Sequence, residues 1–190
     1  MITGPTNGPS ELNYTISKLL NDVELEQIWQ DIAQSPGWRY ITMSGGCSHW
    51  NYPVMSIHDQ RDVSPQERWF GGAPTSIQKV YQKICNLHPN HNLMRLIING
   101  QTQGMNSGIH LDSKHANAIT YIIYLNPEWQ PGWGGATRFY ADVNGQQMIY
   151  EQLPEPGVMI GYSSSIWHQG CGPCVVNVLR VTLAIQIITE

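Results

Sequence analysis

His110 and Asp112 are separated by a single residue, and His168 lies far downstream of both. Imidazole nitrogens and a carboxylate are donors to divalent first-row metals. Two histidines and one carboxylate together occupy one face of an octahedral ion and leave the other open to a co-substrate and dioxygen. On extended backbone, residues i and i+2 project to the same side, so His110 and Asp112 can reach one ion from one short segment. His168 then supplies the third donor from a distant strand. An isolated His-x-Asp is a weak signal, because short motifs recur in surface loops. Its companions decide what it means.

Arg180 is the first companion. It interrupts Val178-Leu179-Arg180-Val181-Thr182-Leu183-Ala184-Ile185, a run otherwise almost wholly apolar. With period two, Arg180, Thr182, Ala184 and Gln186 face one way and Val181, Leu183, Ile185 and Ile187 the other. A guanidinium in a core strand is costly unless an anion pairs with it. That anion is either an internal carboxylate or a bound dicarboxylate, which a guanidinium grips through paired hydrogen bonds. Thr182, on the same face, can donate its hydroxyl to the same ligand. Tyr124, in Thr120-Tyr121-Ile122-Ile123-Tyr124-Leu125, is a second companion. Its phenol either hydrogen-bonds the bound acid or belongs to a core tyrosine.

The elements that must position these side chains fall into two regions. Leu25, Ile28, Trp29 and Ile32 recur at helical spacing and predict a helix over 22–33, capped by Asn21 or Asp22. Ile77, Val80, Tyr81 and Ile84 predict a second over 75–87. Between them, 38–52 reads as irregular or short-strand structure. After residue 92, runs rich in Val, Ile, Tyr and Thr predict strands over 93–99, 118–125, 136–140, 157–162 and 176–188, separated by Gly- and Pro-containing turns. Helices followed by many short strands make an α+β chain, mainly β, built around a sandwich or barrel; a double-sheet jelly roll is one such solution.

The chain has 190 residues, enough for one well-filled core and short for two. We therefore expect a single domain over 1–190, with a loose polar leader over 1–10 and the metal-binding β core over 92–188. A net charge of -4 with only 10 Lys and Arg argues against a nucleic-acid surface. No apolar run approaches the roughly 20 residues of a membrane span, and the leader lacks the basic and apolar regions of a signal peptide. A cytoplasmic protein with reduced Cys47, Cys85, Cys171 and Cys174 is the expectation.

The run from His110 to Tyr140, with HLD, YIIYLNPEW and GWGGATRFY, resembles the core of Fe(II)/2-oxoglutarate-dependent dioxygenases, and most closely their prolyl-4-hydroxylase-like branch. The pattern continues in order through PEPGVMIGY, IWHQG and VLRVTLAIQI, covering about half the chain. The resemblance implies a double-stranded β-helix, a jelly-roll variant, buttressed by N-terminal helices. It implies Fe(II) on His110, Asp112 and His168, and 2-oxoglutarate anchored by Arg180 with Tyr124. Dioxygen is the further co-substrate, and hydroxylation of a C–H bond with release of succinate and CO2 is the implied reaction. Halogenating relatives replace the acidic ligand with a small residue, whereas Asp112 is present here. Where relatives often carry Glu-Thr after the double glycine, this chain has Ala136-Thr137, so Ala136 has no polar role.

Residues before the metal-binding segment often line the site in such relatives, which makes Asn99 and Gln101 candidates for contact with co-substrate or substrate. Trp38, Tyr40 and Trp50 are candidate walls of a substrate pocket, against an alternative as core aromatics; Met55 and Arg138 are further candidates. The substrate is a small molecule or a peptidyl residue. Two rivals stay open: a non-catalytic, cupin-like metal-binding β-sandwich, and the same iron site performing desaturation, epoxidation or epimerisation. Cys171-Gly-Pro-Cys174 also matches a thioredoxin-type redox sequence, which requires its first cysteine at a helix N-terminus. The β-forming run Val175-Val176-Asn177-Val178 follows instead. A zinc site from His168 and both cysteines lacks a fourth ligand at short spacing.

Overall fold

The computed structural model describes residues 2–3, 14–33, 35–42, 47–56 and 73–190. Helix α1 (Asp22–Ala33) buries Leu25, Ile28 and Ile32, the predicted stripe. Its start is a reciprocal cap: the Glu24 N–H donates to Asn21 Oδ1 at 2.9 Å and the Asn21 N–H donates to the Glu24 carboxylate at 3.0 Å. Helix α2 (Thr75–Leu87) buries Ile77, Val80 and Ile84. Ser76 donates to Asp31 at 2.5 Å and Lys83 pairs with Glu24 at 2.7 Å, tying the helices together. Among the described residues, no helix is long and apolar enough to cross a membrane.

The strands are β1 (Ile2–Thr3), β2 (Tyr14–Lys18), β3 (Arg39–Thr42), β4 (Ser48–Ser56), β5 (His91–Gln101), β6 (Ala118–Tyr124), β7 (Thr137–Tyr140), β8 (Met148–Gln152), β9 (Val158–Ser163), β10 (Trp167–Gly170) and β11 (Arg180–Thr189). They form an eight-stranded sheet in the order β1-β2-β9-β6-β11-β5-β4-β3 and a three-stranded sheet in the order β10-β7-β8. Every pairing is antiparallel.

One face of the large sheet packs on the helices. Val181, Leu183, Ile185 and Ile187 of β11 join Leu96, Ile98, Tyr121 and Ile123 and the helical stripes in the main core. Each such fully buried aliphatic contributes roughly 1.5–3 kcal/mol. On the other face, Ile160 and Tyr162 meet Phe139 of the small sheet, with Ile16, Ile122 and Tyr150 around them. Two facing antiparallel sheets with helices outside make the mainly β jelly roll, the double-stranded β-helix, that the sequence predicts. Period two therefore sends the apolar half of β11 to the helices and turns Arg180, Thr182 and Ala184 toward the space between the sheets.

Several expected boundaries move. The last strand begins at Arg180, not Val176. Asn177 holds a positive φ of 60° in a turn and Val176 is exposed, because Asn tolerates a conformation that β-branched neighbours resist. Strands β2, β8 and β10 lie outside the predicted set, since each is short and mixes polar with apolar residues. Ile2 and Thr3, assigned to the leader, pair with Ile16 and Thr15 of β2; the remainder of 1–10 lies outside the described residues.

Candidate active site

His110 lies outside the named strands, in an isolated bridge with His168 of β10. Each backbone N–H donates to the other's carbonyl at 3.0 Å. Two residues on, the Asp112 and Ser113 N–H groups both donate to the Ser164 carbonyl at 3.0 Å. The segment is thus stitched along the small sheet's edge, and the three side chains converge from one short segment and one strand, as i, i+2 geometry predicts. One donor atom from each of His110, Asp112 and His168 lies within 4.8 Å of the others. His110 Nε2 is 3.6 Å from Asp112 Oδ1, and His168 Nε2 is 3.4 Å from Oδ2.

Both imidazoles are oriented by the same device. His110 Nδ1 lies 2.9 Å from the Gly108 carbonyl and His168 Nδ1 lies 3.0 Å from the Ile166 carbonyl. A carbonyl accepts only, so Nδ1 carries the proton in each ring and the Nε2 lone pairs face the centre. Thr120 Oγ1 donates to Asp112 Oδ2 at 2.8 Å and the Tyr162 hydroxyl donates to it at 3.3 Å. Burial opposes charge on Asp112, but the two histidines and Thr120 outweigh it and hold the carboxyl well below the usual carboxylate range. Asp112 lifts the His110 ring above the ordinary imidazole value, while burial pulls His168 below it.

Arg180 is buried at the opposite end of the same wall. Its Nε donates to the Gly135 carbonyl at 2.6 Å, Nη1 to Gln101 Oε1 at 2.6 Å and Nη2 to Thr137 Oγ1 at 2.8 Å. The guanidinium carbon lies 5.4 Å from the centre of the Tyr124 ring. Every one of these partners is neutral, and among the described residues no carboxylate forms an ion pair with Arg180. Burial accordingly pulls its pKa downward. The internal-salt-bridge alternative is therefore unsupported, and the guanidinium stands ready for an anion.

A sequence profile of the 2OG-Fe(II) oxygenase superfamily matches residues 94–185. These residues belong to that superfamily. Its members use Fe(II), 2-oxoglutarate and dioxygen. No curated protein sequence matches the chain. Among solved structures, a Pseudomonas putida prolyl-4-hydroxylase is similar at 14% identity with a TM-score of 0.60, covering 94% of each chain. HygX from Streptomyces hygroscopicus, with nickel and 2-oxoglutarate bound, is similar at 8% identity and TM-score 0.62, covering 94% of this chain and 84% of its own. The epimerase SnoN from nogalamycin biosynthesis is similar at 11% identity and TM-score 0.63, covering 93% and 78%. At such identities the likeness is one of fold.

The triad and Arg180 line one cavity of about 360 Å³. Asn99, Gln101 and Thr182 line it too, on facing rungs: Arg180 opposite Gln101, Thr182 opposite Asn99. Tyr124 does not reach the lining. Its hydroxyl donates toward Thr137 Oγ1 at 2.9 Å and the Gln152 carbonyl at 3.1 Å, so it braces Arg180's surroundings instead.

The four substrate candidates lie elsewhere. Trp38 packs on the helix-side core and donates to the Ile32 carbonyl at 2.8 Å. Tyr40 and Trp50 pack edge-on against each other, both partly exposed to solvent. Along β4, His49 and Asn51 turn to the site's side, so Trp50 between them must turn away. Arg138 pairs with Glu151 at 2.6 Å, partly exposed on the outside of β7. The Met55 side chain lies outside the described residues. The cavity instead contains His49, Arg95 and Thr137. Arg95 was legible as another charge in a strand with Gln101's parity; Thr137 carried no signal beyond its place after the double glycine.

The CGPC segment forms a turn. Cys171 is buried, Cys174 is exposed, and both sulfurs are free thiols. No helix starts there, so the stabilised thiolate that the redox motif requires has no basis.

Proposed function

We propose that the chain is an Fe(II)- and 2-oxoglutarate-dependent oxygenase of the hydroxylase type, acting on a C–H bond of a small molecule or a peptidyl residue. The observation that carries this reading is the buried Arg180 guanidinium, without a carboxylate partner among the described residues, on the wall shared with His110, Asp112 and His168. A metal-binding scaffold needs the triad alone; it has no use for a desolvated cation beside it. The donor set fits the metal. Cis ligands on bonds of about 2.1 Å stand roughly 3 Å apart, close to the carboxylate–imidazole spacings here.

In this reading His110 and His168 bind through Nε2 and Asp112 through its carboxylate, whose charge offsets that of the ion. Arg180 grips the far carboxylate of 2-oxoglutarate bidentately, with Thr182 beside it on the same face. Gln101, Thr137 and the Gly135 carbonyl hold the guanidinium in plane, and Tyr124 supports it from behind. Iron, 2-oxoglutarate and dioxygen supply the oxidising power when bound, with succinate and CO2 released. Neither histidine is needed as a base: in this reading each Nε2 lone pair would be given to the metal, while each Nδ1 proton is held by a backbone carbonyl. Both helices share one core with the sheet that carries the site, which supports reading the chain as one catalytic domain.

Anaerobic addition of Fe(II) and then 2-oxoglutarate tests the reading. The expected result is the weak visible charge-transfer band of the chelated complex, lost in His110→Ala. A wild-type protein without the band, or a variant that keeps it at unchanged affinity, would overturn the assignment.

A further inference from the structure

Arg95 is a second arginine in the cavity wall, on β5 and on the same face as Gln101. Register sets it opposite Gln186, whose side chain donates to the Asp112 carbonyl at 3.3 Å. Arg180 closes the other end, opposite Gln101. At about 3.3 Å per residue the two rungs are roughly 20 Å apart. The triad lies between: Asp112 beside the Arg95 rung, and β10 running from His168 to Gly170, whose carbonyl accepts from Gln101 at 3.0 Å. Arg95 is on the side of His110, the most exposed of the three ligand side chains.

Among the described residues the Arg95 side chain donates no hydrogen bond and joins no ion pair. The only carboxylate in the lining, among the described residues, is Asp112, which is committed to the triad. His49, buried on β4, faces the same space. Burial lowers the affinity of that ring for a proton; a hydrogen bond with Asn99 opposes this, and the charges of Arg95 and His110 add to it.

We propose that Arg95 binds a carboxylate of the primary substrate, so that this oxygenase acts on a small organic acid or on a carboxylate-terminated peptide. The inference rests on the oxygenase reading above and adds a substrate class to it. Charge balance supports it. The two arginines and Asp112 leave the wall one positive charge, and a divalent ion and dianionic 2-oxoglutarate cancel each other. Among the described residues one positive charge therefore stays unmatched, at the end remote from Arg180. A single planar guanidinium suits a monoanionic carboxylate, gripped through two parallel hydrogen bonds. Such an anchor would fix the acid end at Arg95 and present carbons nearer the triad for reaction.

The test titrates N-acetyl amino acids, their carboxamides, and short peptides with free or amidated C-termini into the anaerobic Fe(II)/2-oxoglutarate complex, followed by calorimetry. Acids should bind about tenfold or more tightly than matched amides, the range expected of one charge-assisted contact. Arg95→Gln should erase that preference while leaving the 2-oxoglutarate band unchanged, and Arg95→Lys should retain part of it. Preference among free acids identifies a small acid, and preference confined to peptides identifies a peptide; either supports the subsite. Equal binding of acids and amides, no binding of either, or a preference surviving Arg95→Gln overturns it. So does a weakened 2-oxoglutarate band in Arg95→Gln, which would assign Arg95 to the co-substrate. A band missing from the wild-type protein overturns the oxygenase reading, and this inference with it.

Discussion

Arg180 and Gln101 meet across β11 and β5 at 2.6 Å, Nη1 to Oε1, with both side chains buried. The Gln101 amide nitrogen donates in turn to the Met105 carbonyl at 2.7 Å and the Gly170 carbonyl at 3.0 Å. One glutamine thus links the guanidinium to the loop leading to His110 and to the strand carrying His168. A neutral side chain can do this without satisfying the cation's charge, which stays available to a ligand. Arg180→Met should therefore weaken 2-oxoglutarate by about a hundredfold or more, from the roughly 2–5 kcal/mol lost when a buried charged contact is truncated. Fe(II) uptake should be retained. Titrating the charge-transfer band and metal binding separately checks both, and equal loss of metal and 2-oxoglutarate would refute the division of labour.

Thr120 gives a test of the metal's outer support. Its hydroxyl donates to Asp112 Oδ2 at 2.8 Å and lies 2.8 Å from the Ser164 hydroxyl, whose residue's backbone carbonyl holds the Asp112 and Ser113 N–H groups. Thr120→Val keeps the shape and removes the donor. Metal affinity should fall about 10–100-fold, the usual effect of losing a group that orients a ligand. Thr120→Ser should restore most of it. Competition with a chromophoric chelator reads the difference, and an unchanged affinity in the valine variant would show that the Tyr162 contact suffices.

On the helix side of the sheet, His88 and Tyr121 couple stability to pH. The Tyr121 hydroxyl and His88 Nε2 are 2.5 Å apart. Burial pushes the phenol up to about 12, so it remains the donor and the imidazole must accept as the neutral form. Burial, with His91 nearby, lowers the His88 pKa below its unfolded value. The unfolded chain therefore binds this proton more readily than the folded one, and stability rises with pH across the window between the two values. The contribution is complete above the unfolded value of about 6.5 and is lost as pH falls below it. Urea midpoints at pH 7.5 and pH 5 should differ more in the wild-type protein than in His88→Gln. Parallel pH profiles would remove His88 from the account.

The parts of this architecture legible in the sequence were those that repeat. The helical stripes, and the alternation that faces Val181, Leu183, Ile185 and Ile187 to the helices and Arg180 and Thr182 to the site, follow from period alone. Strands β8 and β10 were not legible, because four or five mixed residues at a sheet edge carry no clear period. The aromatic candidates lie off the described cavity for a related reason. Trp38, Tyr40 and Trp50 were weighed by residue type, whereas the alternation along β4 turns Trp50 away and brings the less conspicuous His49 to the cavity. Tyr124 had the correct parity, yet parity does not fix where a long side chain ends, and Thr137 takes its hydroxyl.

If Arg180 anchors the co-substrate as proposed, Gly135 makes a turn with no polar side chain part of that anchor. Its φ is +76°, and a Cβ there would lie 2.7 Å from the Trp129 ring and 3.3 Å from Arg180 Cδ. The same residue's carbonyl accepts the Arg180 Nε–H at 2.6 Å. Alanine would meet both a disfavoured backbone region and a ring anchored by its own hydrogen bond, Trp129 Nε1 to the Gly134 carbonyl at 3.1 Å. The turn must shift, and the carbonyl with it, leaving Nε without its partner and the guanidinium tilted. Gly135→Ala is expected to destabilise the fold by about 1–3 kcal/mol, as overpacking does. It should also weaken 2-oxoglutarate by about tenfold, for a hydrogen bond to a charged group lost from a preorganised anchor. Chemical denaturation and band titration measure the two effects independently. A variant destabilised as expected that still binds 2-oxoglutarate like the wild type would show that Gln101 and Thr137 alone fix the guanidinium.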